Sequence, residues 1–360
     1  MQEQKPKLLL VELWGLGDLV IATTFLQRAV ERYDVTLLAK PHAAALLAHD
    51  FPQVRTLAWD APWTAFRDKY QFSRWSWRQI ATLLLGLRRE RFAVAVSVRP
   101  DPRDHLLMWL VNVRARYGFP RSGSALLLNR PIARSPRLRH RVEDWRQIGD
   151  VLGLPGMVSA SPALKPPPET ATVPANRDPR LDVCFHLGAR IGVRRWPTAY
   201  YRDIIGRLRN ETDFHLTLIP DPDGYGADLA DLADTYLPRL SLPELMAALG
   251  RTRLLICNDS APAHIAAAFG RPVVAFFGPT EPGTFRPWGA EHLVIIRDLC
   301  PYRPCFDYCR FPEPYCLTRL LPQDVWPEVR EFVARYLPKR NEANGFAETG
   351  TGAQDRLDSP

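Results

Sequence analysis

Six prolines crowd the segment from Ser161 to Arg180, namely Pro162, Pro166, Pro167, Pro168, Pro174 and Pro179. Residues that lack an N–H donor and hold φ near −65° neither continue a helix nor pair inside a sheet. The segment therefore reads as an extended, fairly stiff connector. It splits the 360 residues into two parts, each the size of one ordinary domain.

The same pattern runs on both sides of this connector. Lys7–Leu13 (KLLLVEL) is apolar nearly throughout, as a strand buried on both faces must be. A glycine-containing turn, Trp14–Asp18, follows, then a helix to about Arg32 and a second strand over Val35–Ala39. Ala93–Val98 predicts another buried strand, and Asp144–Leu152 a helix stopped by Gly153 and Pro155. After the prolines the alternation restarts. Strands are predicted at Leu181–His186, His215–Pro220, Arg253–Cys257 and Pro272–Phe277, with helices at Thr198–Arg209, Leu242–Leu249, Ala261–Phe269 and Pro322–Tyr336. Strand–helix alternation of this kind implies an α/β fold: two Rossmann-like, doubly wound halves facing a central cleft. The expected boundaries are residues 1–160, the linker 161–180, residues 181–338, and a polar tail, 339–360, expected to be disordered.

The longest apolar stretch, Leu8–Leu26, is interrupted by Glu12 and Asp18, so it does not read as a membrane span. The N-terminus lacks the charged-then-apolar layout of a secretory signal, which leads to the expectation of a cytoplasmic protein. A net charge of +8 favours an anionic partner or simply confers solubility.

Four motifs lie at the carboxyl ends of predicted strands, where such sheets bind ligands. Gly15-Leu16-Gly17-Asp18 follows the first strand; its glycines permit a sharp turn and a close approach to a ligand. The third glycine of a dinucleotide fingerprint is missing. Taken alone, Asp18 reads first as a cap of the following helix and only second as a general base on a substrate hydroxyl. Asn258-Asp259-Ser260-Ala261-Pro262-Ala263-His264 ends another strand and opens a helix whose free N–H groups suit a diphosphate. His264, one turn in, is placed either to donate to a phosphate or to sit in the core. Phe277-Gly278-Pro279-Thr280 is a turn beside that helix start. His186-Leu187-Gly188-Ala189 precedes Arg194-Arg195-Trp196-Pro197, and both arginines are expected to point at the crevice, Arg194 as counter-charge to a leaving diphosphate.

Taken together, Cys257–Pro282 (CNDSAPAHIAAAFGRPVVAFFGPTEP) closely resembles the donor-site signature of glycosyltransferase family 9, the heptosyltransferases of the lipopolysaccharide inner core. LLLVELWGLGDLVIATTFL resembles the family's N-terminal segment, RRWP its basic loop, and Tyr117-Gly118-Phe119 a recurrent stretch of its first domain. The resemblance covers about residues 7–337. It implies the GT-B fold and an inverting, metal-independent transfer from a nucleotide-diphosphate sugar, ADP-heptose in this family. The implied acceptor is an anionic lipid-linked saccharide, reached by contact with the inner membrane from the cytoplasmic side. No resident cofactor and no nucleic-acid partner are implied.

By the same resemblance Asp18 is the catalytic base. Asp259, Ser260, Ala261, His264, Gly278, Thr280, Gly188 and Arg194 form the donor site. Gly17, Arg67, Arg74, Arg99, Arg103 and Arg121 are the acceptor-side candidates. This chain departs from the family at Trp14-Gly15, where small polar residues are usual, and at Ala261, where glycine is usual. Asp221 and Asp223 compete to hold the donor ribose. A sugar-nucleotide epimerase of the same architecture, or a non-catalytic nucleotide- or lipid-binding relative, would share much of this pattern.

Two further clusters stand out. Cys300, Cys305, Cys309 and Cys316 lack the C-x2-C knuckle spacing of zinc sites, so packed free thiols are the default expectation. Trp59, Trp63, Trp75 and Trp77 alternate with Arg67, Lys69, Arg74 and Arg78, and Arg134, Arg137, Arg139 and Arg141 make a second basic run. Both suit a membrane interface, an anionic acceptor or a solvated basic face.

Overall fold

The computed structural model describes residues 4–65, 71–134, 139–168 and 182–337. The first half runs β1 (Lys7–Glu12), α1 (Leu16–Arg32), β2 (Asp34–Ala39), α2 (His42–Leu47), β3 (Arg55–Ala58), α3 (Trp77–Arg89), β4 (Val94–Ser97), α4 (Pro102–Leu110), β5 (Ala115–Gly118), β6 (Arg130–Pro131) and α5 (Arg141–Val151). The second runs β7 (Asp182–His186), α6 (Thr198–Glu211), β8 (His215–Ile219), β9 (Thr235–Tyr236), α7 (Leu242–Arg251), β10 (Leu254–Asn258), α8 (Ala261–Ala268), β11 (Val273–Phe276), α9 (Pro282–Phe285), β12 (His292–Ile295), α10 (Tyr315–Thr318) and α11 (Pro322–Val333).

The strands form two six-stranded sheets, ordered β3-β2-β1-β4-β5-β6 and β12-β11-β10-β7-β8-β9. Counted from its own first strand, each sheet has the order 3-2-1-4-5-6, with parallel pairing throughout. In such a sheet the crevice opens where the winding reverses, between β1 and β4 and between β7 and β10. The turns after β1, β7 and β10 carry three of the four motifs. The fourth, Gly278–Thr280, follows β11.

The predicted elements are present within one to three residues at most ends. The helix expected from Asp144 starts at Arg141, and the last helix ends at Val333, so residues 334–336 fall outside it. Of the proline segment, residues 161–168 are described; Pro174 and Pro179 lie outside the described residues, as do Arg67, Lys69, Arg137 and the tail from 339.

The described part of the connector is tied to both halves. Ala163 donates its N–H to Thr23 Oγ1 at 3.2 Å, and Gln27 Nε2 donates to the Ser161 carbonyl at 2.9 Å, both on α1. Leu164 donates to the Ala268 carbonyl of α8 at 3.3 Å. Pro166 fills the space over Gly250, where any Cβ would stand 2.3 Å from the proline ring.

The two halves also meet directly. Helices α1 and α8 pack together, and one continuous apolar cluster runs from Leu8, Phe25 and Trp145 to Leu255, Ala263 and Phe277. A polar contact locks the same boundary. The Nδ1 of His140 accepts from the Val142 N–H at 3.2 Å, so Nε2 carries the proton and donates to the Arg286 carbonyl at 2.9 Å. Burial lowers the pKa of His140 to about 3, which keeps the ring neutral and this arrangement intact.

Candidate active site between the two sheets

The first wall is the turn after β1. Gly15 precedes α1, and its N–H donates to Asp18 Oδ2 at 3.2 Å, so the carboxylate reaches back to cap the helix from its third position. The cap role and the site role thus coexist. Burial raises the Asp18 pKa, while Arg141, the Gly15 N–H, Arg194 and Arg99 pull against it. The net result is a carboxylate more basic than an exposed one, yet surrounded by three guanidiniums.

Gly17 explains how the walls come so close. A Cβ on Gly17 would lie 2.8 Å from Cδ2 of His264, in the first turn of α8. The turn after β1 and the second half's helix start are therefore in van der Waals contact, close enough that the Arg194 charge acts on Asp18. Replacing Gly17 by Ala is expected to displace the His264 ring and cost about 1–3 kcal/mol of overpacking. A double-mutant cycle with His264→Ala, read by thermal unfolding, should recover most of that cost.

The second wall is held by Asn258 at the end of β10. Its buried amide donates to the Leu187 carbonyl at 2.7 Å and accepts from the Trp196 N–H and the Tyr201 hydroxyl, each at 2.9 Å. Trp196 in turn stacks on Phe276 at 4.0 Å and donates its indole N–H to the Leu320 carbonyl. The Arg-Arg-Trp-Pro loop is thereby anchored by its tryptophan, which leaves the arginines to be aimed.

Arg194 grips Asp307 with two parallel bonds, Nε to Oδ1 at 2.6 Å and Nη2 to Oδ2 at 2.7 Å. Its Nη1 reaches Asp259 Oδ2 at 3.2 Å, and the Thr280 hydroxyl donates to the same oxygen. A guanidinium has five N–H donors, so one hydrogen on each terminal nitrogen stays available for a ligand. Burial works against the charge of Arg194, but Asp307 and Asp259 more than offset it and tighten its hold on the proton.

Arg195 does not follow its neighbour. It bonds Asp221 at 2.9 Å, Asp223 at 2.7 Å and the Ala189 carbonyl at 3.1 Å. Arg195 is thus held by Asp221 and Asp223, the acids after β8, while Arg194 is held by Asp259 and Asp307. Gly188 sits against the same group, since a Cβ there would be 2.8 Å from Asp221 Oδ2.

Helix α8 starts with no side-chain cap: Ser260 donates to the Asn258 carbonyl instead, and Pro262 occupies the first turn. Pro262 has no N–H and the Ala263 N–H bonds the Ser260 carbonyl at 3.1 Å, so the Ser260 and Ala261 N–H groups are the ones open to a ligand. Burial drops the His264 pKa to about 4, so near neutrality the ring is uncharged and offers one N–H donor. Gly278 is required by contact, because a Cβ there would stand 2.8 Å from Leu317 and 3.2 Å from Cys316 Sγ. Arg303 fastens this turn by donating to the carbonyls of Gly278 and Thr280.

Of the arginines expected on the acceptor side, Arg99 is buried in the turn after β4. It bonds Asp101 at 2.8 Å, while its Nη1 makes no hydrogen bond. Arg103 is held by the same Asp101 at 2.7 and 2.9 Å. Arg74 lies in an exposed turn, 72–74, and Arg121 is exposed beside the turn at Ser124. Arg67 lies outside the described residues.

Three site residues escaped sequence reasoning. Arg141, noticed only as part of a basic run, stacks on Trp14 at 3.9 Å and is among the charges acting on Asp18. Asp307 sits at a left-handed corner (φ 76°) of the cysteine-rich loop, whose N–H groups at Cys305 and Phe306 bond the Pro279 carbonyl. Glu12, noticed only as a break in an apolar run, is buried beside Asp18. Its Oε1 accepts from the Trp14 N–H at 3.0 Å and its Oε2 has no partner.

Burial, and next the Asp18 charge, push the Glu12 pKa to about 8. Glu12 therefore holds a proton at neutral pH. A folded-state pKa above the ordinary value of about 4.5 means native stability contributed by this group is complete below that ordinary value. It is lost as pH rises towards 8. Glu12→Gln should flatten this decline, so in paired thermal scans its melting temperature should overtake the parent's between about pH 5 and about pH 8.5.

The cysteines are free thiols; Cys300 and Cys316 are buried, Cys305 and Cys309 half-buried. Among the described residues no group of three or more His, Cys, Asp or Glu side chains is arranged to hold a metal.

The family model for glycosyltransferase family 9 (heptosyltransferase) matches residues 81–315. Among curated proteins, the chain is 30% identical over 172 residues to lipopolysaccharide heptosyltransferase 1 of Pseudomonas aeruginosa, covering 42% of this chain and 48% of that one. The match thus spans about half the length of that relative. Among solved structures, a family 9 glycosyltransferase of Veillonella parvula superposes with a TM-score of 0.67 at 16% identity, covering 93% of this chain and 99% of the other. An E. coli heptosyltransferase solved with ADP gives 0.65 at 18% identity, covering 91% and 99%. At such identities these likenesses establish the fold.

Proposed function

Because the chain belongs to glycosyltransferase family 9, we propose that it transfers a heptose from ADP-heptose to a lipopolysaccharide core acceptor, inverting the anomeric carbon without a metal ion. The observation that carries this reading is the contact of Gly17 with His264, which sets Asp18 and the start of α8 on one crevice. The relative of known name is a lipopolysaccharide heptosyltransferase, and the E. coli neighbour was solved with ADP. Both support this choice of donor and acceptor.

In the proposed step the first half, residues 1–160, binds the acceptor and the second, residues 181–338, the donor. The Asp18 carboxylate takes the proton from the acceptor hydroxyl as that oxygen attacks the anomeric carbon. The bond from that carbon to the phosphate oxygen breaks on the opposite side, and the diphosphate leaves with the electron pair. One displacement inverts the centre and needs only one base. Charge building on the diphosphate meets the N–H groups at Ser260 and Ala261, the neutral His264 and the two available hydrogens of Arg194. Asp259, Thr280, Gly278 and Gly188 shape that pocket. Gly17, Arg99, Arg103, Arg121, Arg74 and Arg67 are assigned to the acceptor side, where the buried Arg99 Nη1 makes no hydrogen bond and stands 3.8 Å from Asp104 Oδ1.

A panel of nucleotide sugars, each with and without core lipid acceptor, tests the reading through release of free nucleotide diphosphate. ADP-heptose with acceptor should be consumed fastest. Turnover of a nucleotide sugar with no acceptor present would point instead to an epimerase.

A further inference from the structure

We propose that the outer face of the first half, built from α3, α4 and the turn after β5, is a docking surface for an anionic lipid bilayer. Residues 71–130 contain eleven arginines, no lysine and three acids, an excess equal to the net charge of +8 carried by the whole chain. The remaining residues therefore balance to zero, and the basicity of the protein belongs to this one region. Its three acids are already engaged: Glu90 by Lys7 and Arg55, Asp101 by Arg99 and Arg103, and Asp104 by Trp63. Arg78, Arg88, Arg89, Arg114 and Arg121 are exposed.

Large apolar side chains stand among these charges. Leu126 is 91% exposed, Trp77 55% and Trp109 49%, joined by Phe72, Leu85, Leu106 and Leu110. On α4, Leu106, Trp109 and Leu110 follow the three- and four-residue spacing of one helix face. On α3 Leu87 is buried and Leu83 and Leu84 pack partly on the same core, which leaves Trp77, Arg78, Leu85, Arg88 and Arg89 exposed.

The pieces are physically joined. Rings of Phe72, Trp75 and Trp77 contact in series, at 4.9 and 5.3 Å. Trp75 meets Trp63 at 5.7 Å, and Trp63 donates to Asp104 of α4 at 2.8 Å. His105 of α4 bonds Ser124, two residues before Leu126, at 2.8 Å. This also corrects the expected four-tryptophan surface patch. Trp63 is buried and Trp59 and Trp75 are half-buried, so they form the foundation, and the surface is made by other residues.

Arginines around protruding leucines and tryptophans suit a bilayer: the charges meet anionic headgroups and the apolar tips enter the acyl boundary. Nucleic acid would match the charge and find rings at Phe72, Trp77 and Trp109, but exposed Leu85, Leu106, Leu110 and Leu126 add bare aliphatic surface that neither bases nor phosphates cover. No described helix is long and apolar enough to cross a membrane, so this contact is with the surface. The proposal deepens the transferase reading, in which the acceptor is lipid-linked, but its test needs no turnover.

Co-flotation of the full chain with vesicles decides it, using phosphatidylglycerol in phosphatidylcholine against phosphatidylcholine alone, without nucleotide. The anionic vesicles should carry the protein, and salt should release it. Replacing Arg78, Arg88 and Arg89 together by Gln should weaken partitioning on the order of a hundredfold. Leu126→Ser with Trp109→Ser should weaken it on the order of tenfold. Both variants should keep the parent's melting temperature, and an inactive Asp18→Asn variant should still float. Equal binding to both vesicle types, unchanged partitioning of the variants, or binding to an oligonucleotide with none to vesicles would overturn the proposal. Loss of turnover with flotation intact would count against the transferase reading alone.

Discussion

Asp18→Asn is expected to lower kcat by about 10²–10⁴-fold while leaving ADP affinity within about twofold of the parent. Asparagine keeps the shape and can still accept from the Gly15 N–H, so the cap on α1 persists. What it loses is the ability to receive a proton. The structure also fixes the sign of the pH dependence. Burial raises the Asp18 pKa despite Arg141, Arg194 and Arg99, so the base form is lost at less acid pH than for an exposed aspartate. Activity should fall on the acid side of a kcat/KM profile. The variant's residual rate should show no such limb. Steady-state kinetics with nucleotide titration checks both statements.

Arg194→Ala is expected to lower kcat by about 10²–10³-fold, the cost typical of removing one preorganised donor to developing negative charge. It should also reduce stability. Asp259 is buried, and without Arg194 it keeps only the Thr280 hydroxyl, while Asp307 loses both its bonds. Arg194→Lys should recover part of the stability, since a point charge can sit between the two acids. It should recover less of the rate, because an ammonium cannot form the bidentate grip that aims the remaining hydrogens. Comparing melting temperatures with kcat across the two variants separates support from catalysis. Equal recovery of both would reduce Arg194 to a structural tie.

Much of this architecture can be read from the chain because parallel strands buried on both faces are apolar without interruption. Leu8–Val11 and Leu254–Cys257 have no alternative as surface segments, and the turns that follow them carry the motifs. The helix α3 was missed although Ile80, Leu83, Leu84 and Leu87 recur at three- and four-residue spacing, because the tryptophans and arginines around this stripe were read only as a basic aromatic patch. The edge strands β6 and β9 are two residues long, too short for any periodicity. Within the site, residues on strand-to-helix turns were legible because glycine, aspartate and serine have known uses there. Asp307 was not, since its place depends on a left-handed corner and a loop docked on Pro279 from far along the chain. Arg194 and Arg195 show the same limit. Adjacent in sequence, they are taken by different acids, Asp259 and Asp307 for the one and Asp221 and Asp223 for the other, which only the fold brings near.

The most direct check of the two-walled crevice is a crystal structure of Asp18→Asn with ADP-heptose. The diphosphate oxygens should lie within hydrogen-bond reach of the Ser260 and Ala261 amides and of Arg194, with the anomeric carbon turned towards residue 18. A diphosphate bound away from the start of α8, or a sugar facing away from residue 18, would contradict the assignment.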